Sequence, residues 1–402
     1  MAYWRWSFRQ NSWKKRNMEK TFLEYRGDMM RKIKVMTVFG TRPEGIKMGP
    51  VVKALEQDDR FSSVVVSTGQ HAEMLQQVLA VFKITPDYDL KIMRPGQTLT
   101  EITIETMTKL EPIIQKEQPD IVLVHGDTSS AYASALVAFY NRVAIGHVEA
   151  GLRTWDKYSP YPEEMNRQMI DDLADLYFAP TQTSANNLKM GNHQHGIIVT
   201  GNTAIDALRY TIDHSYHHQV LDEIDPDKKI ILLTMHRREN WGKPMEETFK
   251  AIKEIVDQRN DIDVIYPVHL NPKVQAVANK IFGNDNHFHL ISPLDVVDFH
   301  NIMSKSLLVM SDSGGVQEEA PALHKPVLVL RDTTERPEGV TAGTLKLIGT
   351  QFNNVMKELS SLLNSPEEYN KMSEAQNPYG DGHASERIID AIAKWAATQK
   401  EL

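Results

Sequence analysis

Two acidic side chains follow strongly apolar segments of the chain. Asp127 comes two residues after the run 121–125, and Glu149 comes directly after the run 143–148. Partial burial and the proximity of like charges raise the pKa of such carboxyl groups towards neutrality, where they exchange protons as general acids and bases. We therefore predict acid–base chemistry at Asp127 and Glu149, although a lone acid at such a position is more often a helix cap or an ion-pair partner.

Two further acids and one histidine extend this set. Glu163 and Glu164 follow a segment rich in proline, and one of the two is expected to be an ordinary acid in the first turn of a helix. His236 ends an apolar run and precedes two arginines, Arg237 and Arg238. Its position is as compatible with a functional histidine as with a structural one.

Residues 40–47 combine a glycine, a fixed cation and a proline between an apolar run and a helical pattern. This is the arrangement of a strand, a tight turn and a helix N-terminus, where α/β proteins hold anionic ligands. Arg42 can bind a phosphate through its planar guanidinium, and Lys47 adds a mobile charge one turn later. The segment is not a Walker P-loop, because Ile46 stands where that motif needs lysine.

A second candidate for phosphate binding lies at residues 311–319. Ser313, Gly314 and Gly315 place small residues and open N–H groups just before a predicted helix, and Glu319 can accept two hydroxyl groups of a ribose. The alternative is a plain helix start capped by Asp312 or Ser313. Both interpretations remain open from this segment alone.

These loops require a scaffold of alternating strands and helices. Short β-branched runs alternate with helical patterns from residue 32 onward, and runs that are apolar throughout are typical of parallel strands covered on both faces. The predicted strands of the first half are 33–39, 64–68, 121–125, 143–148 and 176–179, and those of the second half are 230–235, 264–268, 287–291, 307–310 and 327–330. Predicted helices include 72–82, 130–140, 245–256, 272–281 and 384–398. In such sheets, ligands bind beyond the carboxyl ends of the strands, where these polar loops lie.

The sequence thus predicts an α/β fold with two Rossmann-like domains that face each other across a cleft. We place the domains at residues 31–204 and 205–377, with a C-terminal helix within 378–402 that packs back on the first domain. Residues 1–30 are rich in tryptophan and basic residues without the apolar core of a secretory signal. We predict a disordered extension, or sequence upstream of a start at Met29 or Met30, and the alternative is a segment that contacts membrane surfaces.

Bulk composition excludes several classes of function. The net charge of -8 argues against a general nucleic-acid binder, and the absence of cysteine removes disulfides, thiolate nucleophiles and cysteine-bound zinc. No apolar run approaches the roughly 20 residues needed to cross a bilayer, so a cytoplasmic protein is expected. The histidine pairs at 193/195, 217/218 and 287/289 lack a metal-binding pattern, and we interpret them as surface residues. We predict no metal and no cofactor.

Seven segments in order resemble the family of non-hydrolysing UDP-N-acetylglucosamine 2-epimerases. They are GTRPE at 40–44, HGDT at 125–128, HVEAGLRT at 147–154, YPEEMNR at 161–167, HRREN at 236–240, SGGVQEE at 313–319 and RDTTERPE at 331–338. The resemblance covers about residues 32–393. It implies a glycosyltransferase-B-type architecture, interconversion of UDP-GlcNAc and UDP-ManNAc for cell-surface polysaccharide, and a homodimer.

The resemblance also implies roles for individual residues. The implied catalytic residues are Lys47, Asp127, Glu149, Glu163 and His236. The implied phosphate contacts are Arg42, Ser313, Gly314, Gly315 and Arg336, with Glu319 at the ribose, Phe299 near the uracil and Arg167 in the active-site motif. Gln70 and Glu73 lie in the stretch that resembles an activating second substrate site. Gly45 and Gly49 depart from the family, which commonly has alanine there, and are expected to loosen the helix that carries Lys47.

The chemistry restricts the mechanism. C2 of the sugar is not next to a carbonyl, and the chain lacks the G-x-G-x-x-G motif of a nicotinamide enzyme. Elimination of UDP together with the C2 proton gives 2-acetamidoglucal, and re-addition with protonation from the opposite face inverts C2. Two alternatives remain: a hydrolysing 2-epimerase that releases ManNAc and UDP, and a glycosyltransferase of the same architecture.

Overall fold

The structure, a computed structural model, describes residues 31–69, 72–283 and 285–399, without the side chains of residues 72–74. Within these residues the chain forms two parallel β-sheets, and we call each sheet with its helices a lobe. The strands of the first lobe are β1 (Ile33–Phe39), β2 (Phe61–Ser67), β3 (Tyr88–Asp89), β4 (Ile121–His125), β5 (Ala144–Val148), β6 (Leu176–Ala179) and β7 (Ile197–Val199). Those of the second lobe are β8 (Lys229–Thr234), β9 (Ile262–Pro267), β10 (Phe288–Ile291), β11 (Leu308–Ser311), β12 (Val327–Val329) and β13 (Leu345–Leu347).

Helices connect the strands and cover the sheets. They are α1 (Arg42–Gln57), α2 (Ala72–Phe82), α3 (Leu99–Glu117), α4 (Ser129–Tyr140), α5 (Glu163–Leu173), α6 (Gln182–Met190), α7 (Thr203–Thr211), α8 (Gln219–Glu223), α9 (Lys243–Asp257), α10 (Pro272–Phe282), α11 (Val296–Lys305), α12 (Gly314–Ala322), α13 (Pro337–Ala342), α14 (Phe352–Asn364), α15 (Pro366–Ser373) and α16 (Ala384–Gln399). Among the described residues, none of these helices has the length and apolar composition to span a bilayer.

The order of the strands determines where the loops with the candidate site residues lie. The first sheet runs β3-β2-β1-β4-β5-β6-β7 and the second runs β10-β9-β8-β11-β12-β13. In each sheet the order reverses direction between the first strand and the fourth, which is the Rossmann topology and the place where such sheets bind ligands. The predicted α/β fold with two Rossmann-like halves is therefore confirmed.

Burial explains why the apolar runs became central strands. Every residue of β4 is buried, and β4 lies between β1 and β5 with helices on both faces of the sheet. A strand covered on both faces must be apolar throughout, which is the pattern that predicted it. The short edge strands β3, β7 and β13 were not predicted, because two or three residues show no periodicity.

The C-terminal helix α16 joins the first lobe after the chain has completed the second. Ile388, Ile389 and Ile392 lie in one hydrophobic core with Val51 and Val52 of α1. Helix α7 contacts α1 and α16 as well as α11 and α12 of the second lobe. The predicted boundary between residues 204 and 205 falls inside α7, and the extension predicted at 1–30 lies outside the described residues.

Glycines in α1 allow α2 to approach it closely. A Cβ atom at Gly45 would lie 2.6 Å from Leu75 Cδ1, and one at Gly49 would lie 2.5 Å from the ring of Phe82. Both distances are shorter than any normal contact, so alanine does not fit this interface without movement. The expectation that these glycines loosen α1 considered the helix alone and left out the packing that they permit.

Candidate active site

The turn that begins α1 is fixed by a capping box. Glu44 Oε2 accepts hydrogen bonds from the backbone N–H groups of Gly40 (2.7 Å) and Thr41 (2.8 Å). Its other oxygen accepts one from the hydroxyl of Thr128 (2.6 Å), the residue that caps α4. The loops after the neighbouring strands β1 and β4 are thereby joined, and Lys47 is placed one turn into α1.

Lys47 and His125 both approach one oxygen of the Glu149 side chain. Lys47 Nζ donates a hydrogen bond to Glu149 Oε2, and His125 Nε2 lies 3.5 Å from the same atom. All three side chains are largely buried. Glu149 has a left-handed backbone with φ 68°, which is uncommon for a residue with a side chain and typical of functional sites.

The electrostatics of Glu149 differ from the expectation of a raised pKa. Burial opposes ionisation of this carboxyl group, but the charges of Lys47 and His125 outweigh it and hold the pKa of Glu149 well below its usual value. Lys47 is the matching partner: burial acts against its charge, and Glu149 and Glu318 raise its pKa. The prediction was wrong for Glu149 because the sequence did not indicate how close Lys47 and His125 would lie.

The prediction of a raised pKa agrees with the direction found for Asp127. Its Oδ2 accepts a hydrogen bond from Arg167 Nη2 at 2.6 Å. Burial nevertheless raises the pKa of Asp127, and the charges of Glu149 and Glu163 add to the effect. Two neighbouring carboxyl groups thus have pKa values displaced in opposite directions, which is the arrangement of an acid and base pair.

The two acids at the start of α5 have different environments. Glu164 is fully buried and accepts hydrogen bonds from the backbone N–H groups of Thr154 (3.0 Å) and Trp155 (3.1 Å), so it holds the preceding loop. Glu163 is only partly buried and lies near enough to Asp127 to affect its titration. The ordinary structural acid is therefore Glu164.

A buried network under the loops was not identified from the sequence. His147 Nδ1 lies 2.6 Å from Asp171 Oδ1, and Arg153 Nη2 lies 2.6 Å from Asp171 Oδ2. The other ring nitrogen of His147 is 2.7 Å from the carbonyl oxygen of Gly126, the residue before Asp127. This network fixes the turn that carries Asp127, and only the position of His147 in a quoted motif pointed to it.

In the second lobe, Asp312 organises the loop that carries His236. The fully buried carboxylate of Asp312 accepts hydrogen bonds from the backbone N–H of His236 (3.0 Å), the backbone N–H of Arg237 (2.9 Å) and the amide of Asn240 (2.9 Å). The ring of His236 is partly exposed, with Nδ1 3.3 Å from Asp312 Oδ1. The sequence had offered Asp312 only as a helix cap.

The N-terminus of α12 faces open space. Ser313 occupies the N-cap position without a capping hydrogen bond from its side chain, and a Cβ atom at Gly314 would meet no atom within 4 Å. The free N–H groups and the helix dipole at such an end favour an anion. One turn later, Glu319 Oε2 lies 3.4 Å from Nε2 of the buried His300, beside the partly buried Phe299.

The two lobes meet at Glu318 and Arg336. Glu318 contacts Arg336 Nε with one oxygen, and its other oxygen accepts a hydrogen bond of 2.8 Å from Asn202, the residue that caps α7. A cavity of about 20 Å³ at this junction is lined by Glu149 from the first lobe and by Glu318 and Arg336 from the second. Glu149 of the first lobe and Arg336 of the second therefore border the same cavity.

Comparison with known proteins identifies the family to which the chain belongs. A sequence profile described as UDP-N-acetylglucosamine 2-epimerase matches residues 53–393. The UDP-N-acetylglucosamine 2-epimerase of Bacillus subtilis (strain 168) is 57% identical over 373 residues, which cover 92% of this chain and 98% of that protein. The chain belongs to the UDP-N-acetylglucosamine 2-epimerase family.

Solved members of this epimerase family have the same fold. The structure of Staphylococcus aureus MnaA with UDP has a TM-score of 0.82 and 54% identity, covering 91% of this chain and 97% of that one. The Neisseria meningitidis UDP-GlcNAc 2-epimerase, solved with UDP-GlcNAc, has a TM-score of 0.80 and 46% identity, covering 90% of this chain and 100% of that one. The resemblance, the glycosyltransferase-B-type fold and the assignment to carbohydrate isomerases are thereby confirmed.

For three residues implied by the epimerase family, the structure gives no contact that supports the implied role. Arg42 begins α1 and is partly buried, and within the described residues no acid pairs with it. Gln70 lies outside the described residues, and of Glu73 only the backbone, in α2, is described. Their implied role in a second site stays a prediction.

Three of the histidines interpreted as surface residues are only partly exposed: His193, whose Nδ1 lies 3.1 Å from the hydroxyl of Tyr177, and the pair His287 and His289. His287 Nδ1 and His289 Nε2 each lie 2.9 Å from an oxygen of Asp263, which is buried and also contacts Lys228. This cluster is at the end of the second sheet away from the site, and Lys228 Nζ lies 2.7 Å from Asp263 Oδ1 and 3.4 Å from His287 Nδ1. Among the described residues, no group of histidines and acids is arranged to hold a metal ion.

Proposed function

We propose that this protein catalyses the reversible epimerisation of UDP-GlcNAc to UDP-ManNAc at C2, by eliminating UDP to 2-acetamidoglucal and adding it back. The observation that carries the proposal is the junction at which Glu149, with Lys47 beside it, lines the same small cavity as Arg336. The proposed reaction needs an acid near C2 and cations near the departing diphosphate, and Glu149, Lys47 and Arg336 are our candidates for these roles. The relatives named as 2-epimerases support the same substrate.

The proposed reaction balances without a cofactor. One carboxylate takes the proton from C2 while the bond between C1 and the phosphate oxygen breaks, and UDP leaves with the bonding electrons. A second carboxyl group then gives a proton to the other face of C2, and the phosphate oxygen bonds again to C1. Each turnover moves one proton from the second group to the first, and exchange with water restores the starting state.

The opposite displacements of the two pKa values support a division of labour. Glu149 is held ionised by Lys47 and is our candidate for the proton acceptor, whereas Asp127, whose pKa is raised, is the candidate donor. The roles exchange in the reverse direction. Glu163 borders Asp127, and Arg167 orients it through the hydrogen bond of 2.6 Å.

Diphosphate binding is proposed at the meeting of both lobes. We assign Arg42, Lys47, Arg336 and the open start of α12 at Ser313, Gly314 and Gly315 to the phosphates. Glu319 is proposed to bind the ribose, Phe299 to lie beside the uracil, and His236 to face the sugar. A cavity of about 20 Å³ is far smaller than the several hundred Å³ that enclose a ligand of this size. We therefore propose that most of the nucleotide sugar lies outside this cavity, towards the open start of α12.

The wider setting is proposed from the family alone. We infer a cytoplasmic homodimer that supplies ManNAc units for cell-surface polysaccharide, with domains at 31–204 and 205–377. Activation by substrate at Gln70 and Glu73 belongs to the same set of proposals. A hyperbolic dependence of rate on UDP-ManNAc that does not respond to traces of UDP-GlcNAc would contradict this activation.

The test is incubation with UDP-GlcNAc in D₂O, followed by NMR at C2. We expect deuterium at C2, formation of UDP-ManNAc and retention of the sugar–UDP bond. Release of free ManNAc and UDP would favour the hydrolysing alternative. Absence of exchange at C2, with saturated UDP-GlcNAc binding shown by calorimetry, would reject epimerisation and leave the glycosyltransferase to be tested with acceptors.

A further inference from the structure

His125 is a buried histidine whose ring nitrogens have no hydrogen-bond partner in the part of the chain that the structure describes. It is the last residue of β4, and its side chain is only 5% exposed. Among the described residues, no protein group is hydrogen-bonded to either ring nitrogen. Buried polar groups are almost always paired, and leaving one unpaired costs about 1–3 kcal/mol. Such a cost calls for an explanation in a histidine two residues from Asp127.

The neighbouring strand provides a comparison. His147 of β5 is equally buried, and both of its ring nitrogens have partners, at 2.6 Å in Asp171 and at 2.7 Å in the carbonyl of Gly126. His147 is therefore a structural histidine whose hydrogen bonds are complete. The ring of His125 differs in that its nearest charged group is the Glu149 carboxylate, at 3.5 Å from Nε2. This distance is just beyond a good hydrogen bond, and a small shift closes it.

The charged groups around Glu149 indicate when His125 would move close enough to form a hydrogen bond with it. Lys47 approaches from α1, His125 from β4 and Arg336 from the second lobe, and Asp127 is close enough for its titration to respond to Glu149. Of these, Lys47 has the flexible stem and the three donors that let it turn towards a diphosphate. A diphosphate therefore competes with Glu149 for Lys47. When Lys47 turns away, His125 is the remaining donor in the first lobe that can reach the same oxygen.

We propose that His125 is a positioning residue for Glu149, which donates a hydrogen bond from Nε2 to the Glu149 carboxylate when Lys47 engages the diphosphate. It keeps Glu149 oriented and ionised for the C2 proton during the step in which the lysine is occupied. The inference depends on the proposed function, because it assigns His125 to the same proton transfer. His125 itself does not touch the substrate.

The test compares two substitutions of similar size, His125→Gln and His125→Met. Glutamine can place an N–H near the position of Nε2, and methionine cannot donate. We expect the Met variant to lose about 10- to 100-fold in kcat, and the acid limb of its pH–rate profile to move upward by about one pH unit. UDP affinity is expected to stay within threefold of wild type. The Gln variant is expected to keep most of the wild-type kcat. The acid limb of its pH–rate profile should lie between those of the wild type and the Met variant.

Controls separate this role from a structural one. His147→Gln is expected to lower thermal stability, and to lower kcat through the turn that carries Asp127, without moving the acid limb that we assign to Glu149. A Met variant with wild-type kcat and pH profile, or Gln and Met variants with the same defect, would overturn the proposal. Failure of both variants to fold would assign His125 a structural role and overturn it as well. If the wild-type enzyme does not exchange deuterium at C2, the proposed function fails first and the role of His125 fails with it.

Discussion

The carboxylate of Asp127 accepts a hydrogen bond of 2.6 Å from Arg167, and its pKa is nevertheless raised. The cost of burying this carboxylate therefore exceeds the benefit of its arginine, and Glu149 and Glu163 add to that cost. A fold that favours the protonated form of Asp127 is destabilised at neutral pH, where the unfolded chain holds the same group ionised. Asp127 thus resembles a group retained for chemistry at the expense of stability.

The two central acids are expected to differ in their effect on stability. Asp127→Asn keeps an acceptor for Arg167 and removes a disfavoured charge, so the free energy of unfolding at pH 7 should be unchanged or higher. Glu149→Gln leaves Lys47 buried without its counter-charge and should lower the free energy of unfolding by about 3 kcal/mol. Denaturant titration measures both. A stabilising Glu149→Gln or a strongly destabilising Asp127→Asn would contradict the electrostatic description.

The stability difference at Glu149 should depend on pH. The folded pKa of Glu149 lies well below the ordinary value of 4.5, so its contribution is fully present above that value. It is lost as the pH falls through the lowered pKa, because protonation then removes the charge in both states. The gap in stability between wild type and Glu149→Gln should therefore be constant from pH 6 to 8 and shrink below about pH 4.5. Asp172→Asn, at an exposed acid, provides the control and should show no such trend.

Two glycine substitutions should affect different properties of the protein. Gly49→Ala should lower stability, and Gly314→Ala should lower the affinity for UDP. Gly49→Ala gains helix propensity worth up to about 1 kcal/mol, but its methyl group meets the ring of Phe82, and overpacking costs about 1–3 kcal/mol. We expect net destabilisation and a repacked contact between α1 and α2. Gly314→Ala meets no atom within 4 Å and should leave stability within about 0.5 kcal/mol, while it weakens UDP binding at the start of α12. Equal effects of the two substitutions on stability would contradict the packing argument.

Arg336 should contribute strongly to the binding of UDP. Its guanidinium is in contact with Glu318 and lines the cavity between the lobes. Removal of the donor in Arg336→Met should lower UDP affinity by at least about tenfold in calorimetry, since hydrogen bonds to charged groups contribute about 1.5–3 kcal/mol. Arg387→Met is the control, because Arg387 pairs with Asp381 at the surface of α16. Unchanged affinity in the Arg336 variant would remove this residue from the phosphate site.

Asp312 should control His236 without contacting the substrate. Asp312→Asn can keep an acceptor for the backbone N–H groups of His236 and Arg237, but it removes the charge 3.3 Å from His236 Nδ1. We expect kcat to fall more than UDP affinity does, with the fold intact by circular dichroism. Asp257→Asn, at an exposed acid on α9, should behave as wild type. A loss confined to UDP affinity would assign Asp312 to the binding of the nucleotide.

The fold followed from the sequence wherever periodicity carried the information. The runs 33–39, 121–125 and 176–179 are strands with the predicted bounds, because apolar central strands of parallel sheets have a distinct pattern. The edge strands β3, β7 and β13 are too short to show one. Strand order was also beyond the sequence, since the long-range pairing of β1 with β4 and of β8 with β11 leaves no local signal.

The sequence predicted which residues belong to the candidate site, but it did not predict the contacts between them. Motifs placed Glu149 and Lys47 in one site, but the direct contact that lowers the pKa of Glu149 depends on side chains 102 positions apart. Asp312 was offered only as a helix cap, and Glu318, within the quoted segment 313–319, was given no role. Their hydrogen bonds to Asn240 and Asn202 connect loops that only the folded chain brings together.

Helix α16 has a consequence for how the protein is made. Its isoleucines complete a core whose other members, such as Val51, are synthesised more than 300 residues earlier. A ribosome delivers the chain from its N-terminus, and most domains can fold as they emerge. Here the nascent first lobe must wait, with one apolar face uncovered, until residues 384–399 have been synthesised. A transcript truncated before codon 384 would therefore yield an incomplete first lobe, prone to chaperone capture and degradation, however intact its acids are.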